Sequence, residues 1–150
     1  MAIPQFAGRS LGISEWVTVG QDRVDQFATC TGDRQWIHVD VERAKRESPF
    51  GAPIAHGYLT LALVGALVTE LASFPRMLPP DSYGLDKVRF ITPVKSGARV
   101  RLQTNLISAE PQSDRRVLLK LQCALEIEGE DKPALVAEVL CMLVSKPEGS

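Results

Sequence analysis

The spacing of hydrophobic positions changes character along the chain. Leu11 to Val19 has a strand-like centre, Glu15-Trp16-Val17-Thr18-Val19, closed by Gly20. In Gln21 to Cys30, Val24, Phe27 and Ala28 fall on one face at helical spacing. Gly32 is well placed to end that helix in a left-handed conformation. Asp40 caps a predicted short helix over Val41–Glu47, with Glu42 in its first turn. The run Ser48-Pro49-Phe50-Gly51-Ala52-Pro53 reads as a loop, because two prolines and a glycine exclude regular structure. Ile54 to Phe74 is then apolar nearly all round and contains no proline. A helix that is hydrophobic on every face must be buried on every face. Pro75, Pro79 and Pro80 end it.

From Ser82 onward the pattern shifts to period two or to short β-rich runs: Leu85–Ile91, Arg99–Ile107, Arg116–Ile127 and Ala134–Val144. Turn signals separate them at Pro93…Gly97, Pro111…Asp114 and Gly129…Pro133. Strands in such succession predict an antiparallel sheet. One buried helix and one antiparallel sheet satisfy each other if the sheet curls around the helix. The expected fold class is α+β, a long antiparallel sheet wrapped around a central buried helix. Such a sheet covers one side of the helix well and leaves its edge strands open, so a homodimer is expected.

The chain has 150 residues, which suits a single domain over 1–150. Its 17 basic and 18 acidic residues give a net charge of −1, and no basic tract is present to neutralise phosphates, so nucleic acid is not an expected partner. Cys30, Cys123 and Cys141 are odd in number, far apart and in apolar settings, so each reads as a buried free thiol in a reducing compartment. No cysteine–histidine cluster has zinc-ligand spacing, and no metal site is expected. The longest apolar stretch, Tyr58 to Val68, is too short for a bilayer, which needs about 20 residues. The N-terminus lacks a charged start followed by an apolar run. A soluble cytoplasmic protein without membrane association is expected.

The chain has two histidines. His38 follows Asp33 by five residues in Thr31-Gly32-Asp33-Arg34-Gln35-Trp36-Ile37-His38, a predicted loop between helices. A carboxylate and an imidazole on opposite sides of one water would orient it and take its proton. The plainer reading makes Asp33 a turn cap and His38 a satisfied core histidine. Pro53-Ile54-Ala55-His56-Gly57 opens the buried helix. A helix start presents unpaired N–H groups and a positive dipole end, and a glycine there admits a ligand closely. A thioester carbonyl at Gly57 would be polarised, and an enolate stabilised as charge develops. The plainer readings are a packing glycine and, for His56, a capping or packing residue.

Three blocks now occur in order: Thr31-Gly32-Asp33-x-Gln35-x-Ile37-His38-x-Asp40, Phe50-Gly51-x-Pro53-Ile54-Ala55-His56-Gly57, and Val88-Arg89-Phe90-x-x-Pro93-Val94-x-x-Gly97. Together they resemble the MaoC-like dehydratases, a group that includes the (R)-specific enoyl-CoA hydratases. The variant Asp-x-Gln-Trp-Ile-His-Val-Asp is similar to the nodulation-protein-N-like branch. The resemblance implies a hot-dog fold and a homodimer with its active site near the subunit interface. It also implies Asp33 and His38 as the pair holding water, and the Gly57 amide as oxyanion donor. The implied substrates are trans-2-enoyl-CoA thioesters, hydrated reversibly to (R)-3-hydroxyacyl-CoA.

The common hydratase pattern, Asp-x-Asn-Pro-[aliphatic]-His, is altered here by Gln35 and Trp36. Gln35 keeps an amide that can orient the loop or the water. Trp36 gives up proline's rigidity but can anchor the loop with a large ring. No cofactor motif is present, and coenzyme A enters only as part of the substrate. Lys87, Arg89, Lys95 and Arg99 are candidates to hold it. Arg89 is the best of them, with a structural role as its alternative. Supporting roles at the site are thus assigned to Gln35, His56 and Arg89. An acyl-CoA thioesterase is the nearest rival, but the helix offers only Glu70, far from Gly57, as a carboxylate. A non-catalytic acyl-thioester-binding protein would not need Asp33 together with His38.

Overall fold

The computed structural model describes residues 3–149. A short 3-10 turn over Ile3–Phe6 leads into β1 (Ser10–Ile13) and β2 (Val17–Val19). Both pair antiparallel with the same long strand, β4 (Ala98–Ser113). Between them Ser14 keeps the ladder satisfied: its N–H donates to Leu102 O at 2.9 Å, and its hydroxyl accepts from Leu102 N at 2.8 Å. Then come α1 (Gln21–Thr31), the one-turn α2 (Trp36–Val39), α3 (Val41–Glu47) and the long α4 (Gly57–Leu71). Gly32 ends α1 at φ 82°, and the Asp40 carboxylate caps α3 by accepting from Arg43 N at 3.1 Å, both as the sequence predicts. The turn of helix α2 was not expected.

β3 (Asp81–Phe90), β4, β5 (Arg116–Ile127) and β6 (Leu135–Val144) complete a six-stranded antiparallel sheet in the order β1-β4-β5-β6-β3, with β2 also on β4. β3 therefore lies beside β6 at the edge and not beside β4. The segment 91–97 carries the chain from one side of the sheet to the other. Ile91 N bonds Ala134 O at its start, and Gly97 N bonds Val19 O at its end. β4 also runs further than predicted. Pro111 pairs with Val117 inside the strand, between two register shifts. Proline is tolerated there because β1 pairs only with residues 103–105 of β4, so this part of the strand has a free edge and no N–H is missed.

The concave face of the sheet is a period-two row of apolar side chains, including Leu102 and Leu106 of β4, Leu121 and Leu125 of β5, and Leu135 and Leu143 of β6, all fully buried. Leu59, Leu63, Val64, Leu67 and Val68 of α4 join them in one core. This is the hot-dog arrangement. The helix begins later than its apolar run, because Ile54 and Ala55 are extended and hydrogen-bonded to neighbouring segments. It stops before Pro75, whose ring disfavours helix in the residue ahead of it. Its outward stripe, Tyr58, Ala62, Gly65 and Thr69, is exposed, Tyr58 by 74%. Within one chain α4 is thus covered on one side only.

Cys123 and Cys141 are buried, and burial pushes both thiols up to about 11. Cys30 is exposed, contrary to expectation. It lies two residues beyond Ala28, which turns it about 200° from the buried face of α1.

Candidate active site

The site is organised by a short extended segment, Pro53–Ala55. On one side Ile54 N donates to Ile37 O at 3.1 Å. On the other, Ala55 N donates to Val94 O at 2.7 Å and Ser96 N to Pro53 O at 2.9 Å. The segment therefore ties the α2 turn to the crossing segment 91–97. It also fixes His38. The Nδ1 of His38 lies 2.7 Å from Ile54 O, and a carbonyl only accepts, so Nδ1 carries the hydrogen. Nε2 is left with an unshared lone pair. Gln21 holds the same residue from α1, its amide Nε2 donating to His38 O at 2.8 Å.

His38 is 8% exposed. Burial lowers its pKa below 6.5, and the neighbouring His56 pushes the same way. The hydrogen bond to Ile54 and the Asp33 carboxylate oppose these effects without cancelling them. His38 is consequently a neutral imidazole at pH 7, competent as a base.

Asp33 sits in the loop after Gly32, half-buried. Its carboxylate accepts from Gln35 N at 3.4 Å, so the expected turn role is present, though weak. Asp33, His38 and His56 each have one ligand-type atom within 4.8 Å of the others. That spacing alone would suit a metal ion. However, the two imidazoles are stacked, with centroids 3.9 Å apart and planes 24° apart. Each already turns one nitrogen toward a carbonyl oxygen. In-plane lone pairs in two nearly parallel stacked rings do not converge on one ion, so this arrangement fits proton transfer better than metal ligation.

Gly57 is the first residue of α4, and its N–H has no acceptor among the described residues. Its carbonyl accepts from Thr60 Oγ1 at 2.6 Å. A Cβ on Gly57 would meet the Phe90 ring at 3.1–3.4 Å. The glycine thus serves packing as well as leaving a helix N–H open. Beside it lies an apolar cavity of about 190 Å³, lined by residues that include Ile54, Thr60, Phe90, Pro93 and Val94.

The structure brings Asp33, His38 and His56 together next to Gly57. It leaves Gln35 exposed, with no recorded side-chain contact to the pair. Arg89 is exposed on the edge strand and donates from Nη1 to Val88 O at 2.8 Å. Trp36 is half-buried under the Arg43 guanidinium at 4.3 Å, anchoring α2 to α3. Sequence reasoning missed Gln21 and the Ile54 carbonyl as the groups that hold His38. A main-chain carbonyl leaves no signal in side-chain patterns.

Comparison with known proteins identifies the family and the fold. The family model for the MaoC like domain matches residues 3–118. The chain is 44% identical over 139 residues to the 3-hydroxyacyl-thioester dehydratase Z of Mycobacterium tuberculosis, covering 93% of this chain and 91% of that protein. It is 41% identical over 148 residues to Nodulation protein N of Rhizobium leguminosarum bv. viciae, covering 97% and 91%. Among solved structures, the unliganded R-hydratase PhaJ1 from Pseudomonas aeruginosa superposes with a TM-score of 0.72 at 22% identity, over 95% of this chain and 83% of that one. The fold is therefore that of the hot-dog hydratases. The chain belongs to the MaoC-like dehydratase family, and it is an enzyme of the hydratase–dehydratase class.

The lowered pKa of His38 has a consequence for stability. The unfolded chain takes up a proton near pH 6.5 more readily than the folded chain does, so stability rises with pH through that range. The contribution is fully present above about pH 6.5 and is lost as the pH falls through the lower folded-state value. Urea denaturation at about pH 7.5 and pH 5 checks this: the native protein should lose more stability between the two than His38→Gln. Equal losses would contradict the burial argument.

Proposed function

We propose that this protein is an (R)-specific 2-enoyl-CoA hydratase, adding water reversibly to trans-2-enoyl-CoA to give (R)-3-hydroxyacyl-CoA. The observation that carries the reading is the closeness of the Asp33 carboxylate to the His38 ring, whose Nδ1 is held by Ile54 O, at the start of the helix where the Gly57 N–H is open. The relative named as a 3-hydroxyacyl-thioester dehydratase supports the substrate class, and the R-hydratase shares the fold.

In the forward direction the thioester carbonyl accepts a hydrogen bond from Gly57 N–H, which draws electron density from C3. Water held between Asp33 and His38 attacks C3. The new C–O bond forms as the C2=C3 π electrons move toward the carbonyl, giving an enolate at Gly57. The pair takes the proton released by the water, and a proton from the pair passes to C2 as the enolate collapses. Asp33 and His38 act as a pair on the same water in this scheme, so the acid and base roles belong to the pair. The scheme needs no cofactor, and coenzyme A is part of the substrate. A thioesterase reading finds no support in α4. Its carboxylate, Glu70, lies 13 residues from Gly57, about 20 Å along the helix axis, and is exposed.

The working unit in this proposal is a cytoplasmic homodimer. The exposed stripe of α4 and the open edge strand β3, with Tyr83 and Leu85 exposed, flank an apolar groove of about 460 Å³. A second copy placed on this face would cover the helix and pair the strand edge. Sedimentation should give a dimer at micromolar concentration, and Leu85→Glu should shift it toward monomer. A monomeric native protein would contradict this.

Activity is read as loss of enoyl absorbance with crotonyl-CoA and longer 2-enoyl-CoAs, the product being assayed with an (R)-3-hydroxyacyl-specific dehydrogenase. Asp33→Asn and His38→Gln should each lower kcat by about a hundredfold or more, while Glu70→Gln stays near native. Near-native turnover in either site variant would remove the assignment.

A further inference from the structure

His56 is 2% exposed and stands at the N-cap of α4. A side chain at that position ordinarily accepts from the first free N–H groups of the helix. His56 makes no such bond. Its Nε2 instead lies 2.9 Å from the main-chain oxygen of Asp33. Because a carbonyl only accepts, that nitrogen carries the hydrogen. The ring also stacks on His38 at 3.9 Å, and Phe27 of α1 packs against it at 4.9 Å.

Packing alone does not account for an imidazole here. The Nδ1 of His56 is buried with no hydrogen-bond partner. A phenylalanine would fill the same space and stack on the same neighbours without burying an unpaired polar atom. What the imidazole adds is the bond to Asp33. The other hydrogen bonds recorded for Asp33 are long and local: its N–H to Thr31 Oγ1 at 3.3 Å, and its carboxylate to Gln35 N at 3.4 Å. Each spans two residues. The bond from His56 spans 23 residues and ties the Asp33 loop to the start of the buried helix. One rigid ring therefore touches both members of the pair, gripping the backbone of one and lying flat on the side chain of the other.

We propose that His56 is a positioning residue that sets the separation of Asp33 and His38, with the two stacked imidazoles held in opposite tautomers. His38 carries its hydrogen on Nδ1, toward Ile54, and offers Nε2 to the reaction. His56 carries its hydrogen on Nε2, toward Asp33, and touches neither water nor thioester. The proposal rests on the reading of Asp33 and His38 as the water-activating pair. It predicts that His56 acts on turnover and not on substrate affinity, since misplacing a reacting group by about 1 Å costs on the order of a hundredfold in rate.

Two variants separate the contacts. His56→Phe keeps a flat ring and loses the donor. His56→Gln loses the ring and keeps an N–H near the position of Nε2. With crotonyl-CoA, His56→Phe should lower kcat by roughly tenfold to a hundredfold with KM changed less than about twofold, and His56→Gln should restore much of the loss. A folded His56→Phe with native kcat would overturn the proposal. A second readout is independent of activity and of the variants. The chain has two histidines, so a ¹⁵N–¹H spectrum of labelled imidazoles contains two ring systems. One should be the Nδ1–H tautomer and the other Nε2–H. Two rings of the same tautomer, or a His56 ring averaging between tautomers, would overturn the proposal even if the variants failed to fold. Failure of the hydratase reading looks different: the native protein would not turn over any enoyl-CoA, while the tautomer spectrum would still report the geometry.

Discussion

The hydrogen bond between His38 Nδ1 and Ile54 O, 2.7 Å long, is the interaction on which the site depends. It settles a buried polar ring that would otherwise be costly to keep away from water. It also decides which nitrogen faces the reaction. The bond is only as rigid as the segment that supplies the carbonyl. That segment is held from both sides, to Ile37 on one edge and to Val94 and Ser96 on the other. Proline at position 53 fits this place because it lacks an N–H to satisfy, while its carbonyl still accepts from Ser96. The strut thus joins α2, the crossing segment and the N-terminus of α4 at one point. His38 is bonded to that junction through Ile54 O, His56 and Gly57 follow it directly in the chain, and Asp33 is joined to it through His56.

Burial then supplies the electrostatics. His38 lies deep enough that its charged form is disfavoured, with a second imidazole stacked on it, while the half-buried Asp33 pulls the other way. The balance leaves a neutral base beside an acidic side chain. Two groups of different ordinary acidity, held across a space of molecular size, are suited to moving protons to and from one water. The apolar cavity beside Gly57 gives the acyl thioester an environment in which a single helix N–H counts for more than it would in water.

Much of this was legible in the chain. The period-two runs of β5 and β6 and the all-round apolar run of α4 specify a sheet and a helix that need each other. Gly32 and Asp40 mark their helix ends for local reasons, backbone conformation and capping. Asp33, His38 and Gly57 could be picked out because carboxylate, imidazole and helix-start glycine carry chemistry in their residue types. What could not be read depends on distant segments. Pro111 looked like a turn, yet a free strand edge accepts it. The placement of β3 beside β6 follows from a crossing segment whose bonds are main-chain. The His56 ring caps no N–H of the helix it begins, and its contacts are instead with Asp33 and His38 arriving from another part of the chain. Cys30 misled because it closely follows the apolar Phe27 and Ala28, while its own side of the helix is not buried.

The central claim is that Asp33 and His38 act on one water as a unit. A double-mutant cycle in kcat tests it most directly, with Asp33→Asn, His38→Gln and the two combined, all assayed on crotonyl-CoA. If the two groups share a single task, the double variant will be slower than the worse single variant by no more than about threefold. Losses that multiply in the double variant would mean that the two side chains work independently, and would contradict the account.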